Sequence, residues 1–337
     1  MTGEPVLSAR DLRVGYRTPK GPLWAVDGID LDLYPGESVG LVGESGCGKS
    51  SLGRALLNLM PPGGQVRGSA RVGDQDVVGA SANTLRRMRG EQVALVFQEP
   101  MTRLDPLMRV SDHFVEAIRA HRPKTSKAEA HRMAQEALAQ MGIPPTRVAN
   151  YPHEFSGGMR QRIMIAMGIV LRPRLLIADE PTTALDVIVE AQILDILSRL
   201  RSDEQVGILL ITHNLGIVAE TCDRVAVMYA GKIVEIGSVE QVFNHPKHPY
   251  TQGLLASTIS LDTTELHSIA GFPPDLVDPP PGCRFAPRCP DVMPHCTDAV
   301  PAFAEPEPGH RAACYLYPGA ERALTGQASG PPQGQLR

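Results

Sequence analysis

The octapeptide Gly43-Glu44-Ser45-Gly46-Cys47-Gly48-Lys49-Ser50 matches the phosphate-loop pattern G-x-x-x-x-G-K-[ST] at every position. The short apolar stretch 38–42 before it predicts a buried strand, and residues 51–57 after it predict the start of a helix. Glycines let the backbone fold tightly enough for successive N–H groups to converge on phosphate oxygens. Lys49 would reach the outer phosphates, and the Ser50 hydroxyl would bind Mg²⁺. The stretch therefore predicts a site for a nucleoside triphosphate, because a chance glycine-rich turn would lack the flanking strand and helix.

The chain has 337 residues, enough for one large domain and a smaller one. Its hydrophobic content of 42% and formal net charge of −4 are ordinary, and no net basicity favours a nucleic-acid partner. The longest apolar run, residues 163–171, is interrupted by Gly168 and is too short to span a bilayer. No basic stretch followed by an apolar core begins the chain, so no secretory signal is indicated. We expect a cytosolic protein that meets a membrane only through a partner.

The segment before the phosphate loop is typical of antiparallel strands. Apolar and polar residues alternate within residues 6–33, which indicates strands with one face in water. Tyr16 lies in this segment, and its ring could stack on a purine base. A half-buried strand tyrosine is the simpler interpretation of that residue alone.

A helical segment follows the next predicted strand. Apolar residues 93–97 predict a strand that ends at Gln98. From residue 111 to residue 141 the composition is helical, and Ser126 with Glu129 forms a capping-box pattern at the start of an amphipathic helix. The simplest account is a helical insert between two strands of an ATP-binding core.

Polar residues also mark the ends of further predicted elements. Ser156-Gly157-Gly158 begins an apolar helix and could bind an anion, although a serine N-cap after a turn explains it equally well. The apolar residues 175–178 predict a buried strand that ends in Asp179 and Glu180, where acids would lie beside a bound nucleotide. Asp179 would complete the magnesium shell, and Glu180 would align the attacking water or accept its proton. Another apolar strand places His213 at the same edge. A solvated pair of acids and a structural histidine are the alternatives.

The C-terminal third changes in composition. Residues 224–229 and 232–235 flank Ala230-Gly231 as a predicted hairpin. Apolar periodicity then fades, and prolines become dense between residues 271 and 290. Beyond Pro318 the chain is rich in Gly, Gln and Pro, which predicts disorder.

Four of the six cysteines lie in this C-terminal part, with the spacing C-x5-C-x6-C-x17-C. They are Cys283, Cys289, Cys296 and Cys314. In a cytosolic chain such clustering indicates a metal before a disulfide. Four thiolates could bind zinc or an iron–sulfur cluster, and the spacing lacks the C-x2-C knuckle that is usual in zinc ribbons.

The order of these motifs resembles that of an ABC-transporter ATPase subunit over essentially residues 6–315. The motifs that carry the resemblance are the phosphate loop, Gln98, Ser156-Gly157-Gly158, Asp179-Glu180, Asp186 and His213. The chain resembles the dipeptide and oligopeptide importer branch at residues 97–101, 155–162 and 179–186. It also resembles that branch's C-terminal extension at residues 248–251 and 283–290. Phe155 and Met159 depart from the Leu and Gln of the general signature. Arg103 and Asp105 replace Ser and Asn after Gln98, which leaves the fit to a particular permease open.

The resemblance implies a role for each motif. It implies ATP contacts for Tyr16, Gly43, Glu44, Ser45, Gly46, Cys47, Gly48, Lys49, Ser50 and Ser51. Two such subunits would close head to tail, so that the partner's ATP is contacted by Ser156, Gly157, Gly158 and Met159, and the dimer is bridged by Asp186. The implied magnesium ligands are Ser50, Gln98 and Asp179, and the implied catalytic residues are Glu180, His213 and Gln98.

The implied fold class is α/β. It is a P-loop NTPase core of the ABC type, with a mixed sheet, an antiparallel β-subdomain and a helical subdomain, followed by a small irregular extension with a metal-cluster site. Residues 1–260 would form the ATPase domain, with the helical subdomain at approximately 99–171. Residues 261–320 would form the extension with four cysteines, and residues 321–337 a disordered tail.

The resemblance also implies cofactors and partners. The cofactors are ATP, Mg²⁺ and a [4Fe–4S] cluster on the four cysteines, with zinc or free thiols as the alternatives. The partners are a second, different ATPase subunit, two transmembrane permease subunits and an extracytoplasmic substrate-binding protein, without nucleic acid. The chain would lie at the cytoplasmic face of the inner membrane, attached through the permease. Its expected function is ATP hydrolysis that powers uptake of dipeptides or oligopeptides. A related importer for nickel or an oligosaccharide, or an ABC ATPase without a permease, is the alternative.

Overall fold

The structure, a computed structural model, describes residues 3–97, 104–183, 185–257 and 268–321. Within these ranges the chain divides into two compact units. The first, called the helical unit, comprises Met1–Ser8, Asp32–Ser38 and Arg71–Leu210. The second, called the phosphate-loop unit, comprises Ala9–Leu31, Val39–Ala70 and Ile211–Arg337. The domain boundary predicted between residues 260 and 261 lies outside the described ranges and stays a prediction, as does the disordered tail.

The described strands and helices follow the chain in this order. The strands are β1 (Leu7–Thr18), β2 (Gly21–Leu33), β3 (Ser38–Val42), β4 (Gln65–Val72), β5 (Gln75–Asp76), β6 (Val93–Val96), β7 (Leu175–Asp179), β8 (Gly207–Ile211), β9 (Arg224–Tyr229), β10 (Lys232–Ser238), β11 (Ala304–Glu307) and β12 (His310–Ala312). The α-helices are α1 (Lys49–Ala55), α2 (Ala82–Glu91), α3 (Val110–His121), α4 (Lys127–Gln140), α5 (Gly157–Ile169), α6 (Val187–Glu204), α7 (Leu215–Thr221), α8 (Val239–Asn244) and α9 (Pro249–Ala256). Short 3-10 helices span Pro145–Ala149, Pro152–Glu154, Ala286–Arg288 and Pro294–Thr297.

The phosphate-loop unit contains a run of strands in the order β11-β12-β10-β9-β3. β3 is parallel to β9, and β3 is buried along its whole length, as its apolar sequence predicts. β9 and β10 form the predicted hairpin. Its turn residues Ala230 (φ 45°) and Gly231 (φ 86°) are both left-handed, as a type I′ turn requires. In the same unit β2, β1 and β4 lie side by side, which agrees with the strands predicted within residues 6–33.

The C-terminal segment is more regular than the sequence predicts. β12 is antiparallel to β10, with Glu235 opposite Ala312, and β11 pairs with β12. Phe285 is buried, and its ring centroid lies 5.3 Å from that of Tyr229 and 5.5 Å from that of Tyr250. Burial of such a side chain stabilises the fold by about 1.5–3 kcal/mol. The rest of the described extension is mostly irregular, as predicted, and the two strands escaped prediction because strands of four and three residues with prolines nearby carry no strand pattern.

A buried carboxylate joins this segment to the hairpin. Glu235 is completely buried, and it accepts hydrogen bonds from His310 Nε2 (2.7 Å) and from the backbone N–H groups of Lys247 and His248 (2.8 Å each). A buried carboxylate without such partners would strongly destabilise the fold. Glu235 therefore fixes the start of α9 and the position of β12 at once.

An ion cluster provides a second joint. Asp27 on β2 pairs with Arg13, Lys232 and Arg284, and Arg284 belongs to the C-terminal segment. Burial alone would raise the pKa of Asp27, but the three positive charges outweigh burial and lower it. Arg284 also donates to the carbonyl oxygen of Ala230 at the hairpin turn. These charges thus connect the extension to β1, β2 and β10.

The helical unit contains strands in the order β8-β7-β6, all largely buried. β6 and β7 are parallel, with Val93 opposite Leu175, and α3, α4 and α5 contact one another in sequence. Ser126 caps α4 by accepting the N–H of Glu129 (3.1 Å). The reciprocal half of the predicted capping box was wrong, because the Glu129 carboxylate pairs with Arg132 one turn along α4. The predicted helical insert between β6 and β7 is confirmed.

Candidate nucleotide-binding site

Two glycines allow the phosphate loop to follow its path after β3. Gly43 has a φ of 151° and Gly48 a φ of 110°, a conformation that other residues rarely adopt. A Cβ atom at Gly43 would lie 2.0 Å from the carbonyl oxygen of Met228, and one at Gly48 would lie 2.0 Å from that of Ala25. The loop therefore runs against the backbones of β9 and β2, where no side chain fits.

Lys49 curls back over the loop that it follows. Its Nζ donates to the carbonyl oxygens of Gly43 (2.7 Å) and Glu44 (3.1 Å), and the residue is 7% exposed. This places one positive charge where a phosphate-binding loop needs it. Burial raises the pKa of the Cys47 thiol more than the charge of Lys49 lowers it. Cys47 therefore stays neutral and adds no negative charge beside the phosphates.

Tyr16 lies next to the helix that follows the loop. Its hydroxyl donates to the Oγ of Ser51 at 3.0 Å, and the residue is half-buried on β1. The structure thus brings together two residues for which ATP contacts were predicted, although they are separated by 35 positions. Stacking of Tyr16 on a base stays a prediction.

Two further residues contact the loop, and the sequence analysis assigned them no role. Arg288 forms a bidentate ion pair with Glu44, and the hydroxyl of Tyr250 accepts the backbone N–H of Glu44 (2.9 Å). Both lie in the stretches 248–251 and 283–290 that resemble the branch's C-terminal extension. That resemblance was the available signal, but no spacing rule connects positions 244 residues apart.

In the helical unit, the predicted pair of acids lies at the end of β7. Asp179 is buried at 6% exposure and is the last residue of the strand. Glu180 follows with a left-handed φ of 49°, which costs a non-glycine residue about 1 kcal/mol. Thr183 Oγ1 donates to the Glu180 carboxylate at 2.7 Å and so restricts its orientation. The Glu180 carboxylate is therefore held by Thr183 on a backbone conformation that few non-glycine residues adopt.

The predicted signature residues begin α5. Ser156 is the N-cap, and its Oγ accepts the N–H of Met159 at 3.4 Å. Ser156 and Gly157 are exposed, and no atom lies within 4 Å of a Cβ built at Gly157. A Cβ at Gly158 would lie 2.3 Å from Val189 Cγ1 on α6. One glycine thus keeps the surface open, whereas the next allows two helices to approach.

The two departures from the general signature share a partner. The guanidinium of Arg147 lies 4.2 Å from the ring centroid of Phe155, and its Nη1 donates to Met159 Sδ at 3.5 Å. Its Nη2 donates to the carbonyl oxygen of Glu154 at 2.8 Å. Arg147 therefore contacts both Phe155 and Met159, a role that no motif in the sequence indicated.

Asp186 and the residues after it begin α6. Its side chain accepts the N–H of Val189 at 2.9 Å, so it acts as an N-cap within the chain. Val187 and Ile188 next to it are apolar, yet 80% and 71% exposed. Two large exposed apolar residues in succession are typical of a surface that another protein covers.

Two predicted site residues remain, His213 and Gln98. His213 is exposed in the phosphate-loop unit, two residues beyond β8 and immediately before the Asn214 cap of α7. Gln98 lies outside the described residues, so its predicted contacts with magnesium and water stay predictions.

The four C-terminal cysteines carry free thiols. The N–H of Cys283 donates to the carbonyl oxygen of Cys296 at 2.7 Å. The pKa of Cys283 and that of Cys314 are both raised to about 11, chiefly by burial, and the neighbouring cysteines act in the same direction. In the part of the chain that the structure describes, no three His, Cys, Asp or Glu side chains are grouped so that they could hold a metal ion. The geometry of the described residues thus does not support the predicted metal site.

Comparisons with known proteins agree with these motifs. The family model for the ABC transporter matches residues 26–183, and that for the oligopeptide/dipeptide transporter C-terminal region matches residues 234–296. The dipeptide transport ATP-binding protein DppD of Bacillus subtilis is 46% identical over 324 residues, which cover 93% of this chain and 95% of that protein. The chain belongs to the ABC transporter family.

A further relative and a solved structure are also similar to this ABC chain. The oligopeptide transport ATP-binding protein OppD of Mycobacterium tuberculosis is 47% identical over 315 residues, covering 92% of this chain and 52% of that protein. The chain therefore spans about half the length of that relative. The solved structure of CbiO1 from Clostridium perfringens, part of the ABC transporter complex CbiONQ, has a TM-score of 0.62 at 26% identity and covers 72% of this chain and 92% of that one. No helix among the described residues of this ABC chain has the length and apolar character of a membrane span.

Proposed function

We propose that this chain is the ATP-hydrolysing subunit that energises import of dipeptides or oligopeptides through a membrane permease. One observation carries the proposal: Lys49 lies over a phosphate loop in which a Cβ at Gly43 or Gly48 would clash with the backbone, in a chain that matches a peptide-transport ATP-binding protein over 93% of its length. The match to the oligopeptide/dipeptide C-terminal region supports peptides over nickel or oligosaccharides as the solute.

The proposed chemistry assigns one task to each group. Lys49 would neutralise the outer phosphates, and Ser50, Asp179 and Gln98 would hold Mg²⁺, which would screen charge on the phosphates. Glu180, oriented by Thr183, accepts a proton from the attacking water as that water's oxygen bonds to the γ-phosphorus. The bond from this phosphorus to the bridging oxygen then breaks, which leaves ADP and phosphate. His213 would contact the γ-phosphate.

The exposed signature supports a dimer as the active form. Ser156 and Gly157 are exposed at the start of α5, and Val187 and Ile188 are exposed beside the Asp186 cap. A second ATPase subunit facing this surface would bring its own ATP to Ser156, Gly158 and Met159. We favour a different chain as this subunit, with two permease subunits and an extracytoplasmic binding protein completing the transporter. The chain would then lie at the cytoplasmic face of the membrane.

A [4Fe–4S] cluster on Cys283, Cys289, Cys296 and Cys314 is a separate part of the proposal. It is supported by the resemblance and by the matched C-terminal region rather than by the cysteine geometry. Protein purified without oxygen should contain about four irons and four sulfides per chain, and Cys289→Ser should lose them. Stoichiometric zinc, or metal-free protein, would refute this part and leave the ATPase assignment intact.

Reconstitution tests the function as a whole. The chain, its partner ATPase and the permeases are placed in liposomes with the binding protein, and ATP hydrolysis is measured together with uptake of a labelled dipeptide, nickel or an oligosaccharide. Glu180→Gln should reduce turnover by at least about 100-fold while ATP still binds. Glu136→Gln, an exposed acid on α4 paired with Arg132, is the matched control and should retain turnover. Uptake of nickel or sugar in place of peptide would overturn the assignment of substrate.

A further inference from the structure

Every polar group of Glu44, the second residue of the phosphate loop, is engaged. Its carboxylate accepts two hydrogen bonds from Arg288, Nη1 to Oε2 at 2.9 Å and Nη2 to Oε1 at 3.1 Å. Its backbone N–H donates to the hydroxyl oxygen of Tyr250 at 2.9 Å. Its carbonyl oxygen accepts from Lys49 Nζ at 3.1 Å. Two residues from the C-terminal third thus fix one loop residue, and that residue contacts the phosphate-binding lysine.

Arg288 is itself fixed by every donor that it has. Its Nε donates to the carbonyl oxygen of Ala270 (2.9 Å), its Nη1 also donates to the hydroxyl of Tyr229 (3.2 Å), and its Nη2 also donates to the carbonyl oxygen of Ile269 (3.2 Å). Together with the pair to Glu44, these contacts use all five N–H groups of a guanidinium. The side chain is only 6% exposed. Arg288 therefore cannot leave Glu44 without breaking several hydrogen bonds, most of them partly buried.

The charges give this arrangement a chemical consequence. A phosphate loop receives a ligand with several negative charges, and an unpaired carboxylate at its second position would repel that ligand. The bidentate pair cancels the charge of Glu44, so Lys49 determines the charge that the phosphates meet. Tyr250 meanwhile fixes the peptide group between Gly43 and Glu44, and the carbonyl oxygen of that group, which belongs to Gly43, accepts from Lys49 Nζ at 2.7 Å.

We infer that Arg288 and Tyr250 are positioning residues for ATP: Arg288 neutralises Glu44, and Tyr250 fixes its peptide plane, so that the loop and Lys49 are arranged before the nucleotide binds. The C-terminal segment thereby becomes part of the ATP site. This inference rests on the proposed function as an ATPase and adds residues that the phosphate-loop motif does not contain.

Calorimetric titration of the full chain with ATP, ADP and AMP tests the inference. Arg288→Met should raise the Kd for ATP about tenfold, with smaller increases for ADP and AMP, because repulsion from the unpaired Glu44 grows with the charge of the ligand. The double variant Glu44→Gln with Arg288→Met should return the Kd for ATP to within about threefold of the wild type, since no charge remains to be neutralised. Arg311→Met is the matched control: this arginine of the same segment lies over Phe303, 5.3 Å from its ring centroid, and its loss should leave the Kd unchanged.

Two results for Arg288→Met would contradict this role. An unchanged Kd for ATP in Arg288→Met, or an equal loss in the single and double variants, would overturn the inference, because the residue would then have no role or only a structural one. Should Arg288→Met fail to fold, Tyr250→Phe removes a single oxygen and should still raise the Kd for ATP about threefold. Wild-type chain that binds no ATP would count against the proposed function instead, so the two failures are distinguishable.

Discussion

The phosphate loop and the start of α5 are both assigned to ATP, yet the first is enclosed and the second is open. At the loop, a Cβ on Gly43 or Gly48 would collide with a carbonyl oxygen at 2.0 Å, and Lys49 is 7% exposed. At α5, Ser156 is exposed, and a Cβ on Gly157 would meet no atom within 4 Å. In the proposed dimer, one half of the nucleotide enclosure would be completed inside the chain, whereas the other half would depend on a second subunit.

The largest expected effect comes from the enclosed half. Lys49→Ala removes the only charge that the loop itself directs at the phosphates, so the Kd for ATP should rise by about 100-fold or more. Calorimetry or a fluorescent ATP analogue measures this on the isolated chain. Lys127→Ala, at the exposed start of α4, serves as control. Wild-type affinity in Lys49→Ala would show that Lys49 does not bind the phosphates of ATP.

The two signature glycines provide a matched pair with a smaller effect. Gly158→Ala places a Cβ 2.3 Å from Val189 Cγ1 and should destabilise the chain by about 1–3 kcal/mol in chemical denaturation. Gly157→Ala meets no atom and should change stability by less than about 0.5 kcal/mol. In the assembled transporter, however, Gly157→Ala should slow ATP hydrolysis several-fold, because in the proposed dimer its surface would face the partner's nucleotide. Equal destabilisation by both substitutions would show that α5 packs differently from this description.

The smallest effect is a pH dependence within the enclosed half. His248 caps α9 by accepting the N–H of Tyr250, and burial lowers its pKa from 6.5 to about 3. Below pH 6.5 His248 is therefore protonated in the unfolded chain but stays neutral in the folded chain, so the stability of the fold decreases as the pH falls through that range. From pH 6.5 to 5.5 the loss from this residue should be about 1 kcal/mol.

His248→Asn tests this dependence, because asparagine is also a good N-cap and does not titrate. Its free energy of unfolding should decrease less between pH 6.5 and 5.5 than that of the wild type, as urea denaturation at the two values would reveal. Parallel pH profiles would contradict the assignment.

Local patterns predicted much of the fold and of the site, and contacts distant in sequence escaped prediction. The phosphate loop, the hairpin at Ala230-Gly231 and the strand before Asp179 each depend on neighbouring residues, so periodicity and turn chemistry sufficed. Arg288 could not be assigned, because its meeting with Glu44 depends on how β10, β12 and the buried Phe285 arrange the C-terminal segment. Short strands with prolines gave no signal of that arrangement. The clustering of four cysteines in the sequence predicted a metal site and the resemblance implied a [4Fe–4S] cluster there, but the described geometry does not support it.

The Ser156→Trp variant of the complete transporter tests the central claim, that ATP is enclosed by the phosphate loop of one subunit and the signature of the other. The same change is made at the equivalent serine of the partner ATPase, and ATP binding to the isolated chain is measured beside ATP turnover by the complex. The account predicts a Kd within about twofold of the wild type and turnover reduced by at least about 100-fold, because only the second half of the enclosure is lost. Turnover at the wild-type rate would contradict it.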